Sequence, residues 1–355
     1  MVTISLCMIV KNEAHQLSRC LDSYAGISDE IIIVDTGSDD NTKEIAAKYT
    51  DKIFDFKWNG DFSQARNFAF SKSSCDYIFS ADADEYLDDA NRKAFSDLKT
   101  VLMPEIEIVQ MKYLNVSEYN TVYNSIQEYR PKLFKRLRTF KWISPVHETI
   151  KLDPVVFDSD IIICHCPDSD HSKRDFSTFI NAINNGAVLE DYAVIMFCKE
   201  LFISGTDNDF LNVSDIFENK LSKEIHNDDC TRNISCVLAR IYRLKKDYNN
   251  FFKICLKDVA INPCAEICME LGSYFYDNND YEEAVLWYIN ASSETESIID
   301  IHSSGDAPLY CLSECYSKLA AIEKNNGNYD LYNVYLSNSS EYKKQAEEFT
   351  LPEEI

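Results

Sequence analysis

Residues Tyr77–Asp89 read YIFSADADEYLDD, a short apolar run followed at once by Asp82, Asp84 and Glu85. An apolar run without polar alternation is the pattern of a strand buried on both faces. Carboxylates at the end of such a strand cost solvation free energy unless something positive compensates them. The stretch therefore points to a sheet covered by helices, and it leaves the partner of those charges to be found.

Working outward, ISLCMIV (4–10), EIIIVD (30–35) and KIFDF (52–56) are three more buried strands. Helices separate them: 13–24 with Ala14, Leu17, Leu21 and Tyr24 on one stripe, 36–49 with Asp39, Asp40 and Asn41 available as caps, and 61–73 opened by Asp61. Strands alternating with helices predict an α/β domain, Rossmann-like, with a mostly parallel sheet. Ligands of such sheets bind beyond the carboxyl ends of the strands, where Asp35 and Asp82 lie. From Glu105 come strands without helices between them, namely 105–115, RPKLFKR (130–136), HETIKL (147–152) and DIIICH (160–165). They read as antiparallel additions that finish the sheet.

The pattern then changes to helix after helix, so the expected organisation is an α/β domain over 1–170 and an all-α domain over 171–355. In 270–291, Leu271, Gly272, Phe275, Ala284, Tyr288 and Ala291 match the large and small positions of a tetratricopeptide-type helix pair. Asp247-Tyr248 and Asp280-Tyr281 mark two copies, and Asn328-Tyr329 a third at a longer spacing. A helical bundle with accidental spacing is the alternative.

A net charge of −24 argues against a nucleic-acid backbone or an anionic membrane surface as partner. The N-terminus has no basic region before its apolar run and no cleavage site, and no uninterrupted run reaches the roughly 18 apolar residues of a membrane helix. Thirteen scattered cysteines then suggest free thiols and a cytoplasmic location. Cys164-His165-Cys166 lacks a second Cys/His pair at zinc spacing.

On a strand, residues i and i+2 face the same side, so Asp82 and Asp84 can converge on one Mg²⁺ or Mn²⁺ whose other positions take water and phosphate oxygens. A solvated acidic turn continued by Asp88 and Asp89 is the competing reading. Asp35, followed by Thr36, Gly37 and Ser38, can accept from a base imino group or ribose hydroxyls. Val10, Asn12 and Glu13 leave the first strand, and Arg66 in QARN (64–67) offers a fork of donors to phosphate or carboxylate. Neither G-x-x-x-x-G-K-[ST] nor G-x-G-x-x-G occurs, which excludes a P-loop kinase and a dehydrogenase with the usual fingerprint. The basic patch of Lys132, Lys135, Arg136 and Arg138 faces either a ligand or solvent on an edge strand.

LCMIVKNE, DEIIIVDTGSDDNT, DFSQARNFA and YIFSADADEYL, in that order and spacing, resemble family 2 glycosyltransferases of the GT-A fold, and RPKLFKR…FKWISPVHETI matches a segment common in one branch. The resemblance covers about residues 3–166. It implies an inverting transfer of a hexose from a UDP-sugar, glucose or N-acetylglucosamine, with Mn²⁺ or Mg²⁺. By the same resemblance Val10, Asn12 and Glu13 line the nucleoside pocket, Asp35 reads the uracil with Gly37 and Ser38 beside it, and Arg66 holds the nucleotide or its phosphates. Asp82 and Ala83 lie near the ribose and metal, and Asp84 binds the metal. Glu148 is the general base, His147 orients the acceptor or Glu148, and His165 is a third metal ligand or touches the diphosphate. Either histidine can equally be structural. The implied acceptor is a Ser, Thr or Cys of a protein or peptide such as flagellin, with a cell-surface saccharide precursor second. The helical half either binds that acceptor or forms a homodimer. A non-catalytic adaptor whose first domain is a relic is the reading from a different class.

Overall fold

The computed structural model describes residues 1–115, 127–150, 154–166 and 172–352, which fall into two compact units, one reaching Val188 and one spanning Leu189–Leu351. The first unit contains, in chain order, β1 (Ile4–Val10), α1 (Leu17–Ser23), β2 (Glu30–Asp35), α2 (Thr42–Ala46), β3 (Ile53–Asp55), α3 (Phe62–Ser71), β4 (Tyr77–Ser80), β5 (Glu85–Tyr86), α4 (Asp89–Val101), β6 (Ile108–Asn115), β7 (Gln127–Lys135), β8 (Trp142–Ile143), β9 (Thr149–Ile150), β10 (Val156–His165) and α5 (Ser172–Asn184). Eight strands form one sheet in the order β3-β2-β1-β4-β7-β6-β10-β5. The first four of that order pair in parallel.

Alternation along the strands makes two cores. Ile4, Leu6, Met8, Val10 and Ile33 face one side with Leu17, Leu21 and Phe95. Cys7, Ile32 and Val34 face the other with Ala69, Phe70, Phe134 and Trp142. Both faces are thus covered, as continuous apolar strands require.

The later strands depart from the expected antiparallel additions. β7 is antiparallel to both β4 and β6, but β10 runs parallel to β6 and antiparallel to β5. The expected strand at 147–152 is not in the sheet: Thr149–Ile150 pairs with Trp142–Ile143 in a separate ribbon, and Lys151 and Leu152 lie outside the described residues. β7 is central rather than an edge, which removes the solvated-edge reading of the basic patch. Its charges go to separate places: Lys132 to Glu85, Lys135 to the Pro104 carbonyl, Arg136 to the Cys75 carbonyl and Arg138 to Glu107.

Two helix ends also differ. α1 begins at Leu17 rather than near Glu13, and α2 has no side-chain cap from Asn41. Asp40 instead accepts from the Thr42 amide (2.9 Å). Asp61 caps α3 through the Gln64 amide (3.1 Å), as expected. α5 belongs to the first unit, where Phe179 is fully buried and stacks on His147 (5.9 Å, 24°), so the compact division falls later than 170/171.

The second unit contains α6 (Asp191–Ser204), α7 (Asp207–Asn212), α8 (Ser214–Asn219), α9 (Asp228–Leu244), α10 (Tyr248–Ile261), α11 (Ala265–Asp277), α12 (Tyr281–Ile289), α13 (Asp306–Asn325) and α14 (Tyr329–Glu347). One turn recurs between α9 and α10, α11 and α12, and α13 and α14. Lys246, Asn279 and Gly327 take positive φ (59°, 63° and 79°), and Asp247, Asp280 and Asn328 follow as caps. The amide of each cap returns to the preceding helix at 2.9 Å, reaching Tyr242, Phe275 and Glu323 carbonyls. That is the six-to-one closure of a Schellman turn. Gly272 packs against Tyr288 so closely that a Cβ would stand 2.6 Å from its ring. The repeat reading of the sequence thus holds for all three helix pairs, including the loosest.

Candidate active site

The carboxyl ends of β1, β2 and β4 lie side by side, because Val10 pairs with Asp35 and Cys7 with Ser80. Asn12 takes a left-handed φ of 58° and ties the first two loops together. Its amide donates to Ser38 Oγ (2.9 Å), and its Oδ1 accepts from the Asp39 amide (2.9 Å). The Glu13 amide donates to Thr42 Oγ1 (2.8 Å), and Glu13 Oε2 accepts from Gln16 (2.8 Å). Burial, with Asp84 and Asp82 nearby, pushes the Glu13 carboxyl up despite that hydrogen bond.

Asp35 is 1% exposed. Its Oδ1 accepts from the Gly37 and Ser38 amides (2.9 and 3.0 Å), a turn that Gly37 permits with φ of 109°. Its Oδ2 is buried and has no hydrogen-bond partner in the protein.

The acidic stretch is arranged differently from the expectation. β4 stops at Ser80, so Asp82 and Asp84 sit in a turn and the two-residue alternation of a strand does not apply to them. They diverge. Asp82 Oδ1 accepts from Arg66 (2.9 Å), whereas Asp84 Oδ2 meets His165 Nε2 (3.1 Å). Asp84 Oδ1 is buried without a hydrogen-bond partner. Ala83, between them, is 5% exposed and packs into the core below.

Arg66 answers the question of compensating charge for Asp82. From α3 it donates to Asp82, to Ser80 Oγ (3.0 Å) and to Glu148 Oε1, and its guanidinium lies 5.4 Å over the Trp142 ring. Burial acts to raise the Asp82 pKa, but Arg66 and Lys132 together hold it well below the usual carboxylate range. Burial likewise works against the charge on Arg66, and Asp82 and Glu148 outweigh it. The Glu148 segment is clamped to the same helix, since Asn67 exchanges two hydrogen bonds with the Trp142 backbone (both 2.9 Å). His147, with φ of 48°, turns to Phe179.

Glu85 receives its own cation. It is fully buried and bonded to Lys132, itself 6% exposed. Burial pushes the Glu85 carboxyl up, against the pull of Lys132. Lys132 reaches inward because β7 bulges there: Val109 pairs with Leu133 and Gln110 with Pro131, leaving Lys132 without an opposite residue. Bulges re-aim side chains in this way. Tyr113 completes the wall, with Arg130 3.7 Å over its ring and the His165 ring 4.9 Å away. The sequence reading missed Ser80, Tyr113, Arg130 and Trp142, and it named Lys132 without its partner Glu85. Pro131 inside an apolar strand is the signal that could have marked the bulge.

Residues 5–148 match the model of the glycosyl transferase family 2. A TPR repeat-containing protein of Synechococcus elongatus is 35% identical over 161 residues, 42% of this chain and 36% of that protein. An uncharacterized glycosyltransferase of Rickettsia conorii is 39% identical over 84 residues, 24% of this chain and 29% of that protein. The chain thus spans about a third of the length of these curated relatives. Among solved structures, TarS 1-349 of S. aureus in complex with UDP-GlcNAc is 12% identical with a TM-score of 0.38, covering 96% of this chain and 92% of that one. On the family match and the parallel sheet with its loop-borne acids, residues 5–148 form a region of the glycosyl transferase family 2 type, and helix pairs of the tetratricopeptide type follow it in the chain.

Proposed function

We propose that this chain is an inverting, metal-dependent glycosyltransferase that moves glucose or N-acetylglucosamine from UDP to a Ser, Thr or Cys of a protein or peptide acceptor of the flagellin kind. The observation that carries the reading is that Asp35 Oδ2 and Asp84 Oδ1 are buried with no protein donor; Glu85 Oε2 is a third such carboxylate oxygen, but its carboxylate is already bonded to Lys132. Such atoms cost free energy unless a ligand completes them. A uracil imino N–H suits the first, and a divalent ion the second.

Asp84 and His165, one carboxylate and one imidazole 3.1 Å apart, are the residues that would hold Mn²⁺ or Mg²⁺, with diphosphate oxygens and water completing the shell. When bound, the ion neutralises charge on the departing diphosphate. Asp35, with Val10, Asn12, Glu13, Gly37 and Ser38 around it, positions the nucleoside, and Asp82 and Ala83 lie toward the ribose. Arg66, already oriented by Asp82, is within the same cluster to meet phosphate oxygens.

Glu148 takes the acceptor proton. As the O–H or S–H bond of the acceptor breaks, its oxygen or sulfur bonds to the anomeric carbon, and the carbon–oxygen bond to the diphosphate breaks on the opposite face. His147, set against Phe179, orients that region. The helical unit presents the acceptor, with a homodimer as its other use. Among the described residues no helix is long and apolar enough to cross a membrane, and a cytoplasmic setting agrees with thirteen free thiols.

Calorimetric titration of UDP, GDP, UDP-glucose and UDP-N-acetylglucosamine, with and without Mn²⁺, tests the reading. UDP binding that requires Mn²⁺ and disappears in Asp84→Ala is expected. A protein that binds none of these nucleotides is not this enzyme, and the adaptor reading then stands.

A further inference from the structure

A second group of metal-type ligands belongs to the helical unit and shares no residue with the site above. Asp191 opens α6, His226 stands two residues before α9, and Cys230 is in the first turn of α9. One ligand atom from each lies within 4.8 Å of the others. We propose that Asp191, His226 and Cys230 bind a single divalent transition-metal ion of the zinc class, with a water in the fourth position, bolting the first turns of α6 and α9 together.

Three observations converge. The His226 Nε2 lies 3.0 Å from the Leu221 carbonyl, an arrangement that fixes the tautomer of a metal-ligating histidine and leaves Nδ1 for the cluster. Nδ1 in turn faces Asp191 Oδ1 at 2.6 Å. Both ring nitrogens therefore face oxygen acceptors, and a neutral imidazole has only one N–H to give. A metal at Nδ1 removes that conflict without charging the ring. Finally, the Asp191 side chain is 31% exposed while Cys230 is fully buried, which provides an entry path and room for the water.

A nitrogen and an oxygen on one tetrahedral zinc, at about 2.0–2.1 Å each, stand about 3.3 Å apart. The 2.6 Å contact must therefore open by less than an ångström, a rotation of the half-exposed Asp191. Binding releases the Cys230 proton to solvent as the sulfur–metal bond forms. The other thiol cluster, Cys236, Cys264 and Glu266, is the counter-example. Its three members are fully buried, and both Glu266 oxygens already accept from the Ile298, Ile299 and Asp300 amides, whereas Asp191 gives only Oδ2 to an amide, that of Asn227 (3.0 Å), and keeps Oδ1 toward the cluster.

The test is Co²⁺ titration of the full chain, without an affinity tag, in the Asp84→Ala background so that the proposed donor site does not contribute. One equivalent of Co²⁺ with a thiolate-to-cobalt charge-transfer band is expected, and Zn²⁺ should displace it. The band should vanish in Cys230→Ser and persist in Cys236→Ala. Asp191→Asn, at a half-exposed position, should keep the band and weaken binding at least about tenfold, and it serves if Cys230→Ser does not fold. No charge-transfer band in the parent protein, or one lost in Cys236→Ala and kept in Cys230→Ser, overturns the assignment.

Discussion

The acidic turn after β4 and the three turns between helix pairs employ the same residue types toward opposite ends. Asp247 gives one oxygen to the Asn250 amide and the other to the Asn250 side chain, and Asp280 Oδ1 caps the Glu283 amide (3.2 Å). Those acids are absorbed by their own backbone. In the first unit Asp35 also organises its own turn through Oδ1, yet its Oδ2 is left buried and unsatisfied, as is Asp84 Oδ1. The number of acids in a loop therefore says little. A buried oxygen left over once the backbone has been served marks a ligand site only where no buried lysine or arginine already bonds the same carboxylate, as Lys132 bonds Glu85, whose Oε2 is also left over.

The sharpest break of that contrast lies at Glu148, which is assigned to chemistry and held by Arg66. Glu148→Gln should lower transfer by about 10²–10⁴-fold, the usual size of a general-base contribution, and leave UDP affinity within a few-fold. Turnover at the parent rate would move the base to another residue.

Next in size is Lys132, which bonds the buried Glu85. Lys132→Met leaves a buried carboxylate without its cation and should cost about 3–5 kcal/mol in urea unfolding of the first unit. Adding Glu85→Gln should restore a large part of it. A loss below about 1 kcal/mol would mean the pair is dispensable, contrary to its burial.

Glu30 supplies an acid whose oxygens are all used. Burial acts to raise its pKa, but Lys52, Ser5 and Ser74 bring it down to about 2. A lowered folded-state pKa contributes stability that is present above the unfolded value of about 4.3 and is lost as pH falls toward the folded one. Between those limits the parent protein should lose stability that Glu30→Gln has already lost, about 2 kcal/mol for a hydrogen-bonded charge. Parallel acid limbs in the two proteins would show that Glu30 titrates normally.

The smallest effect belongs to the helical turns. Asp280→Ala should destabilise the second unit by about 1 kcal/mol, the usual worth of an N-cap, with UDP binding unaltered. A change in UDP binding would break the separation of architecture from chemistry drawn above.

Much of this was legible in the chain. Apolar runs without alternation identified β1, β2 and β4, and Gly272 with Tyr288 identified a helix pair, because close packing demands a small residue against a large one. Where the reading failed, it had extended a local rule past its end. It carried strand alternation through Asp84, although the pairing of β4 with β7 ends at Phe79 and Leu133, next to the bulge. It also left Lys132 facing either a ligand or solvent and offered no buried acid as its partner, because a lysine in sequence carries no sign of the acid that faces it.

By itself the sequence determined the α/β order, the repeat turns and the residues at the strand ends, since those follow from periodicity and backbone conformation over a few residues. Only the tertiary structure decided which charges meet. Arg66 with Asp82 and Glu148, Lys132 with Glu85, and His165 with Asp84 join residues 16 to 82 positions apart. Such pairs form when strand register and one bulge bring distant groups into a shared low-dielectric space, where an uncompensated charge costs several kcal/mol.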